Sequence, residues 1–345
     1  MTQAKIAREV GVSQTAVSLV LSGREMSISE EGKRLILAKA KELGYFTKIL
    51  APKKNGTICY LISKDVFLGK PFFHRFFVGI EMGAARFNRH VLVSTFDPKN
   101  SPLEKLFPKV DGFIIQEPIP EIYLERIAHS LPLVLFNWHL PIDRFDSVMP
   151  DNYDGIRKAV RYLYKLGHRK IGFFGAQLSR LHFLERYQGY RQSLEELGLP
   201  INEEYMFVPE SREITDKRID RFACQLLSKL SNLTEIPTAL ICCADTFALS
   251  ILRLAPKFGF RIPEDFSVVG FDYIEECLQV SPTLSSIDQP IEEMGKEAVD
   301  MLLERIENPD VPPRKNLFGL ELKVLQSIGK PQKGGIKQKE RMRNP

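Results

Sequence analysis

Three uncharged polar side chains near the start of the chain could read the edges of nucleic-acid bases. Gln14, Thr15 and Ser18 lie in a stretch without charged residues, VSQTAVSLVLSG (12–23). A glutamine can pair bidentately with adenine, and a serine or threonine hydroxyl can donate to or accept from several bases. Such contacts select the base sequence, whereas lysine and arginine on phosphates supply affinity. The alternative is an ordinary helical hairpin with a polar exposed face.

Three short helices in residues 2–45 would position these side chains. Gly11 can end the first helix in a left-handed conformation, Ser13 can cap a second over Gln14–Leu21, and Ser29 can cap a third. Helix, glycine-containing turn and a second helix opened by serine form the helix-turn-helix pattern, whose second helix lies in the DNA major groove. The apolar residues expected to form one small core are Ile6, Ala7, Val10, Val17, Val20, Leu21, Ile36, Ala40 and Leu43.

After a linker, the rest of the chain alternates between buried strands and helices. The linker is the Pro- and Gly-punctuated stretch FTKILAPKKNG (46–56). Such alternation indicates parallel sheets in α/β layers, and its length favours two similar Rossmann-like lobes over one sheet. The predicted strands are 57–63, 90–96, 112–116, 131–137, 169–175, 238–244 and 266–272. The predicted helices are 74–88, 121–129, 153–166, 184–197, 215–231 and 245–258.

The charge distribution places basic residues at the two ends of the chain. Residues 1–57 hold ten Lys and Arg against five Asp and Glu, and residues 323–345 hold seven against one, although the net charge is only +5. An anionic partner is therefore expected at the ends. The last stretch, KPQKGGIKQKERMRNP (330–345), offers little to bury, so a basic tail over 326–345 is predicted to be disordered.

Composition and motifs also exclude several classes of protein. No run of 18 apolar residues and no apolar leader occur, so we expect a cytoplasmic protein without a membrane span. Five cysteines without a C-x-x-C spacing indicate buried thiols in a reducing compartment, with neither disulfide nor zinc. The G-x-S-x-G, P-loop, H-E-x-x-H and strand-linked G-x-G-x-x-G motifs are absent, so no catalytic residue, metal or cofactor is predicted, and the chain is not expected to be an enzyme. His168, in LGHRKI, is expected to order the entrance of a strand.

Several segments, in order, resemble the lactose/galactose repressor family. KIAREVGVSQTAVSLVLSG (5–23) with ISEEGKRLILAKAKELGY (28–45) is similar to the DNA-binding head of that family. The body segments that agree are GKPFFHRFFVGIE (69–81), VMPDNYDGIRKAVRYLYKLGHRKIGFFG (148–175), RYQGYRQSL (186–194), IPEDFSVVGFD (262–272) and SPTLSSIDQPIEEMG (281–295). The segments occur in the order that the family shows, and the resemblance spans roughly residues 2–325.

This resemblance implies a homodimeric transcription regulator, by family default a repressor. Two heads bind a palindromic operator in double-stranded DNA, and a small-molecule effector (a sugar, sugar phosphate or nucleoside) sits between two lobes of a periplasmic-binding-protein-like body. A transport protein that binds solutes would share this body, but the head argues against it. The implied division is a head at 1–45, a hinge linker at 46–56 and a body at 57–325, with lobe 1 at about 57–149 and 287–310 and lobe 2 at about 150–286 and 311–325.

The resemblance also implies which residues contact DNA. In the recognition helix and the turn before it, these are Ser13, Gln14, Thr15, Ser18 and Leu19. Leu19 replaces a basic or polar reader and either touches a thymine methyl or belongs to the edge of the head core. Tyr45 matches a position that contacts the DNA backbone, and Lys33 stands near an arginine position. Leu50 is the candidate wedge into the minor groove, the alternative being a plain tether.

The effector positions implied by the resemblance fall mostly at strand ends. They are Phe72, Phe73, Asn137, Trp138, Arg186, Asp245 and Asp272. The forked donors of Arg186 suit hydroxyls or a carboxylate, and Asp272 can accept from hydroxyls; alternatively, these two hold each other or the backbone. The alternative for Phe72 and Phe73 is that they belong to the hydrophobic core. Ala244 replaces the asparagine that usually precedes Asp245, which puts an ordinary sugar in doubt, and Asn137 can supply the missing amide.

Overall fold

The structure, a computed structural model, comprises a helical head and two α/β lobes. It describes residues 3–21, 29–42, 56–63, 71–97, 103–116, 118–138, 140, 144–175, 178–209 and 216–332. The predicted fold class, a helix-turn-helix head followed by two Rossmann-like lobes, is confirmed.

Three helices form the head, namely α1 (Gln3–Val10), α2 (Gln14–Leu21) and α3 (Glu30–Glu42). Gly11 has a φ of +73°, a left-handed conformation that glycine adopts without steric cost, and it turns the chain between α1 and α2. Ser13 Oγ accepts from the Ala16 N–H over 3.0 Å, and Ser29 Oγ accepts from the Gly32 N–H over 3.2 Å. The two predicted caps and the turn are therefore confirmed. The buried head core consists of Ile6, Ala7, Val17, Ile36 and Ala40.

Lobe 1 is built on a six-stranded sheet whose neighbouring strands all run parallel, in the order β11-β5-β4-β3-β1-β2. Successive residues of β1 point to opposite faces of the sheet. On one face, Ile58 and Tyr60 belong to the hydrophobic core that includes residues of α4 and α10. On the other face, Cys59 and Leu61 belong to the core that includes residues of α5. The strands are β1 (Thr57–Ser63), β2 (His90–Phe96), β3 (Gly112–Ile115), β4 (Leu133–Phe136), β5 (Asp146–Pro150) and β11 (Lys315–Phe318). The helices are α4 (Pro71–Ala85), α5 (Glu121–Ala128) and α10 (Ile291–Glu307).

Lobe 2 is built on a second six-stranded sheet, in the order β12-β10-β9-β8-β6-β7. Its neighbouring strands are parallel except that β12 runs antiparallel to β10. The strands are β6 (Ile171–Phe174), β7 (Met206–Phe207), β8 (Ala239–Cys242), β9 (Ser267–Asp272), β10 (Ser285–Asp288) and β12 (Glu321–Lys323). The helices are α6 (Asn152–Leu166), α7 (Leu181–Glu196), α8 (Asp216–Ser231) and α9 (Asp245–Leu254). His168 orders the entrance of β6 as predicted, because its ring nitrogens bond to Thr238 Oγ1 and the Gly329 carbonyl, both over 2.9 Å.

The chain crosses between the lobes three times, and each crossing leaves the carboxyl end of a strand. The crossings run from β5 to α6, from β10 to α10 and from β11 to β12. Since β12 is antiparallel to β10, Glu321 at its start lies beside Asp288 at the end of β10. The carboxyl edges of both sheets therefore adjoin the crossings. This edge is where open α/β sheets place ligands.

Two predicted boundaries in the last part of the chain are wrong. The third crossing follows β11 rather than residue 310, because Lys315–Phe318 pairs with β5 in the sheet of lobe 1. The body also continues past residue 325: Ser327 is fully buried, its Oγ donates to the Val268 carbonyl over 2.6 Å, and its carbonyl accepts from the Val268 N–H. Residues 326–332 thus belong to lobe 2, and the remainder of the predicted tail, 333–345, lies outside the described residues.

The cysteines carry no disulfide, and most of them lie inside the protein. All five cysteines are free thiols; four are buried and Cys224 is half-buried. In the part of the chain that the structure describes, no helix is both long enough and apolar enough to cross a membrane.

Candidate functional site

The start of α2 presents polar side chains on the surface of the head. Gln14 and Thr15 are exposed, Ser18 is half-buried, and Val17 between them is fully buried in the head core. Burying Val17 fixes the rotation of α2 about its axis, so the side chains of Gln14 and Thr15 face away from the core. Ser13 is exposed, and its hydroxyl oxygen caps the helix by accepting a hydrogen bond from the Ala16 N–H. This arrangement suits a helix that lies in a major groove and contacts bases with its first residues.

The other DNA-contact predictions are only partly within the described structure. Lys33 is half-buried on α3, and its backbone N–H bonds to the Ser29 carbonyl over 3.0 Å. The side chain of Leu19, and the whole of Tyr45 and Leu50, lie outside the described part of the chain.

Arg186, on α7, is the centre of a polar cluster in lobe 2. Its side chain is almost fully buried, and its Nε donates to Asn152 Oδ1 over 2.9 Å while Nη1 donates to the Cys243 carbonyl over 2.6 Å. The guanidinium carbon lies 3.5 Å from the centroid of the Phe271 ring, a cation–π contact. Burial lowers the pKa of Arg186, and the carboxylate of Asp272 opposes that shift. The Cys243 carbonyl, the Asn152 side chain and the Phe271 ring together hold the guanidinium in one position.

Asp272, at the end of β9, is the member of this cluster that reaches the surface. Its Oδ1 lies 3.4 Å from Arg186 Nη2 and accepts from Gln289 Nε2 over 2.7 Å, and its side chain is 20% exposed against 3% for Arg186. Its φ of +112° is rare for a residue with a side chain and marks a backbone held in place by its surroundings. The interpretation that Arg186 and Asp272 hold each other is confirmed. The pair presents a fixed acceptor at the carboxyl edge of lobe 2.

Asp245, at the start of α9, is buried behind this edge. Its Oδ1 accepts from Ser286 Oγ over 2.6 Å, and its Oδ2 accepts from the Ile274 N–H over 2.9 Å. Burial first, and then the neighbouring Asp272 carboxylate, raise the pKa of Asp245 from its ordinary 3.8 to about 8. Both oxygens are used inside the lobe, so the geometry corrects the expectation of direct effector contact. We infer that Asp245 instead positions the loop after Asp272.

The carboxyl edge of lobe 1 carries three polar side chains at the ends of neighbouring strands. Gln116, directly after β3, is 3% exposed, and neither its side-chain oxygen nor its nitrogen has a hydrogen-bond partner. The Oδ1 of Asn137, directly after β4, is likewise buried without a partner. Trp138 is buried in the core of this lobe and donates its indole N–H to the Ile115 carbonyl over 3.1 Å. Its predicted stacking on an effector stays a prediction.

Sequence reasoning missed Gln116, although a signal was present. The residue ends the apolar run GFIIQ (112–116), and a polar residue that ends a parallel strand falls at the edge where ligands bind. The backbones of Phe72 and Phe73 lie in the first turn of α4, but their side chains are outside the described structure. Among the residues that the structure describes, no three His, Cys, Asp or Glu side chains form a group that could hold a metal ion.

Comparison with known proteins relates the chain to transcriptional repressors over most of its length and relates part of its body to a binding-protein family. Residues 160–328 match the family described as periplasmic binding protein-like domain. The ribose operon repressor of Haemophilus influenzae is 30% identical over 321 residues, which cover 90% of this chain and 93% of that protein. The HTH-type transcriptional repressor PurR of Mannheimia succiniciproducens is 27% identical, covering 94% of this chain and 98% of that protein.

A solved structure extends the likeness of fold to nearly the whole chain. The transcriptional regulator CelR in complex with cellobiose superposes with a TM-score of 0.69 and covers 95% of this chain and 99% of its own. At 24% identity, this similarity concerns the fold alone.

Proposed function

The chain belongs to the lactose/galactose repressor family of transcription regulators, and from that membership we propose that it represses transcription from a palindromic operator under the control of a small effector. The observation that carries the effector half of the proposal is the Arg186–Asp272 pair. A buried guanidinium with three kinds of protein contact holds a partly exposed carboxylate at the carboxyl edge of lobe 2.

DNA reading is assigned to the start of α2. Gln14 and Thr15 are exposed side chains that can bond to base edges, and Ser18 follows one turn later. The first 57 residues hold ten Lys and Arg, and their proposed role is to contact phosphates, which supply affinity without selecting sequence. Two copies of the head on one palindrome require a dimer with two-fold symmetry, so the proposed functional unit is a homodimer.

Effector binding is assigned to the space between the carboxyl edges of the two sheets. The named relatives and neighbours include a ribose operon repressor and a regulator solved with cellobiose. By analogy, the proposed effector is a sugar or a related metabolite that Asp272 and Arg186 contact from lobe 2. The three crossings then act as a hinge, and closure of the lobes around the effector changes the spacing of the two heads.

Selection from random double-stranded oligonucleotides tests the DNA half of this proposal. The full chain is expected to enrich an inverted repeat whose half-sites are about one helical turn apart, because each head reads one half-site. The same selection with the first 45 residues deleted is the control and is expected to enrich nothing. Failure of the full chain to enrich any inverted repeat would overturn the proposal.

The Asp272→Asn variant tests the effector half. Asparagine tolerates a positive φ as well as aspartate does, so the loop is preserved while the charge that faces Arg186 is lost. We expect normal operator binding and a loss of the effector's influence on that binding, measured by gel shift across effector concentrations. An unchanged response would remove Asp272 from the site.

A further inference from the structure

Helix α6 and the turn after it carry more basic residues than their carboxylate partners can neutralise. Residues 155–170 hold six Lys and Arg and no Asp or Glu, although residues 58–322 as a whole hold 31 basic residues against 37 acidic ones. Among the residues that the structure describes, the carboxylates that pair with these six cations are Asp154, Glu196 and Glu235. Three positive charges are therefore left without a counter-charge.

The packing of α6 on the core of lobe 2 directs its basic side chains to the surface. Ile156 and Leu163 are fully buried in that core, whereas Lys158, Arg161 and Lys165 are all exposed. The three exposed residues recur at intervals of three and four, so they form a row on one side of the helix. At a rise of 1.5 Å per residue, this row extends over about 10 Å of the helix axis.

The segment that follows β12 brings further basic residues to the same end of lobe 2. His168 Nε2 bonds to the Gly329 carbonyl over 2.9 Å, which holds this segment against the turn after α6. Arg169 and Lys330, which are the next residues on each side of that contact, are both exposed. In the sequence, residues 333–345 then add five Lys and Arg against one Glu. The excess of positive charge on α6 thus continues into the last part of the chain.

The end of α6 lies far from the point where the head is attached to the body. The helix ends just before β6 begins, which is the amino edge of the lobe 2 sheet. The linker from the head enters at the start of β1, which is the amino edge of the lobe 1 sheet. Since the carboxyl edges of both sheets adjoin the crossings, the two amino edges lie at opposite ends of the body. A partner bound at the end of α6 therefore leaves the head free.

An extended array of phosphates suits this surface better than another protein does. Successive phosphates of one DNA strand are roughly 3.4 Å apart along the duplex axis, so the row on α6 can face several of them. In residues 151–170, no large apolar side chain is exposed, whereas a stable protein interface has an apolar core. Duplex DNA can be held through its phosphates alone.

We propose that a distal basic surface on lobe 2 binds the phosphates of a second DNA duplex while the heads hold the operator. The residues of this surface are Lys158, Arg161, Lys165, Arg169 and Lys330. The inference goes beyond the proposed function, which assigns DNA contact to the head. The second contact does not select a base sequence, because phosphates carry no sequence information. One repressor molecule thereby joins two separate stretches of DNA.

Capture of a second duplex by the operator-bound protein tests this inference. The inverted repeat obtained by selection is fixed to a sensor surface and saturated with the full chain, and a mixed-sequence duplex without the repeat is then supplied. We expect the wild-type protein to capture this second duplex with an affinity that falls steeply as salt rises, because each phosphate contact releases counterions. Absence of capture at low salt overturns the inference.

A variant with Arg161→Gln, Lys165→Gln and Lys330→Gln tests the residues assigned to the surface. It removes three charges and breaks only one exposed ion pair, that of Arg161 with Glu196. We expect unchanged operator binding and an affinity for the second duplex that is weaker by about tenfold or more, with a salt dependence reduced by up to about three phosphate contacts. Capture equal to that of the wild type overturns the inference.

A second variant with the same change of charge is the matched control. It carries Lys217→Gln and Arg221→Gln on α8 and Lys257→Gln after α9, all at exposed positions, and should capture the second duplex as the wild type does. Equal losses in the two variants would show that net charge alone governs capture and would overturn the inference. If the first variant melts at a lower temperature than the wild type, Lys165→Glu decides alone, because Lys165 makes no ion pair with any residue that the structure describes.

Competition separates DNA from an acidic protein as the partner. Unlabelled mixed-sequence duplex and polyglutamate are compared at equal concentrations of negative charge, and we expect the duplex to displace the captured DNA more effectively. Stronger displacement by polyglutamate would assign the surface to an acidic protein and overturn the inference. If selection yields no inverted repeat, the proposed function fails, and a mixed-sequence duplex fixed to the sensor surface allows the capture test to proceed independently.

Discussion

The side-chain amide of Gln289 donates to Asp272 Oδ1 over 2.7 Å, and so a residue on the crossing from lobe 2 to lobe 1 holds the exposed carboxylate of the cluster. Gln289 lies in the segment of chain that connects β10 to α10, and it is fully buried. The preceding residue, Asp288, lies 3.8 Å from Arg75 of α4 and 3.7 Å from Lys323 of β12. The crossing is therefore joined on one side to the carboxylate of Asp272, the proposed effector contact, and on the other side to charged groups of both lobes. Movement of Asp272 on binding can be transmitted to the crossing by this contact.

Gln289→Leu is expected to weaken the coupling between effector and DNA. Leucine keeps the buried volume but removes the donor to Asp272, so effector contact no longer biases the crossing. We expect the ratio of operator affinities with and without effector to fall severalfold toward one, within the usual allosteric range of about 1–3 kcal/mol. Gel-shift titrations at saturating and zero effector measure this ratio. Gln279→Leu, which loses only an exposed hydrogen bond to Glu275, is the control. If Gln289→Leu and wild type have the same ratio of operator affinities with and without effector, Gln289 does not couple the two sites.

Asp245 is expected to make the stability of the body depend on pH. Its pKa is raised from 3.8 to about 8 in the folded state, mainly by burial, so between these values the folded chain binds a proton that the unfolded chain has released. Stability is therefore highest below the ordinary pKa and declines as pH rises toward about 8, by up to about 1.4 kcal/mol per pH unit. Asp245→Asn mimics the protonated carboxyl and should show a flatter profile. Denaturant unfolding of both proteins across this pH window gives the comparison, and parallel profiles would rule the assignment out.

Local sequence patterns were sufficient to predict the head and most central strands. Ser13, Ser29 and Gly11 act through neighbouring backbone, so their roles as caps and turn could be predicted from residue type and spacing. Fully buried strands such as β3 and β8 are short apolar runs, because helices cover both faces of a parallel sheet.

The last part of the body could not be predicted in this way. The strand β11 (KNLF) is half exposed and has no apolar run, and it is a strand only because β5 offers it an edge. The segment around Ser327 looks like part of a polar tail, yet its hydrogen bonds to residues of β9 and β10 bury it. Similarly, the sequence does not show that the side-chain oxygen and nitrogen of Gln116 are buried without hydrogen-bond partners, because this depends on how the strands pack. Such features depend on contacts between residues that are far apart in the sequence.

Gly270→Ala is expected to destabilise lobe 2 through Asp245. A Cβ built on Gly270, in the middle of β9, would overlap Asp245 Oδ1 and approach Leu284 Cδ2 to 3.2 Å. Asp245 cannot withdraw, because Ser286 and Ile274 hold its two oxygens. Overpacking of this kind costs about 1–3 kcal/mol. Denaturant unfolding measures the loss, and Gly319→Ala, where the new Cβ meets nothing within 4 Å, is the matched control. Equal stability of the two variants would show that the site relaxes freely.

Gln14→Ala is expected to relax the choice of operator without weakening contact with DNA in general. The exposed amide at the start of α2 can bond to a base edge, and such a contact is worth about 1–3 kcal/mol of discrimination, whereas phosphate contacts remain in place. Titrations of the selected operator and of a scrambled duplex, at several salt concentrations, separate the two contributions. The variant should lose affinity for the operator only and keep the wild-type salt dependence. Gln192→Ala, far along the chain on α7, is the control, and equal weakening of Gln14→Ala on both duplexes would mean that Gln14 does not read bases.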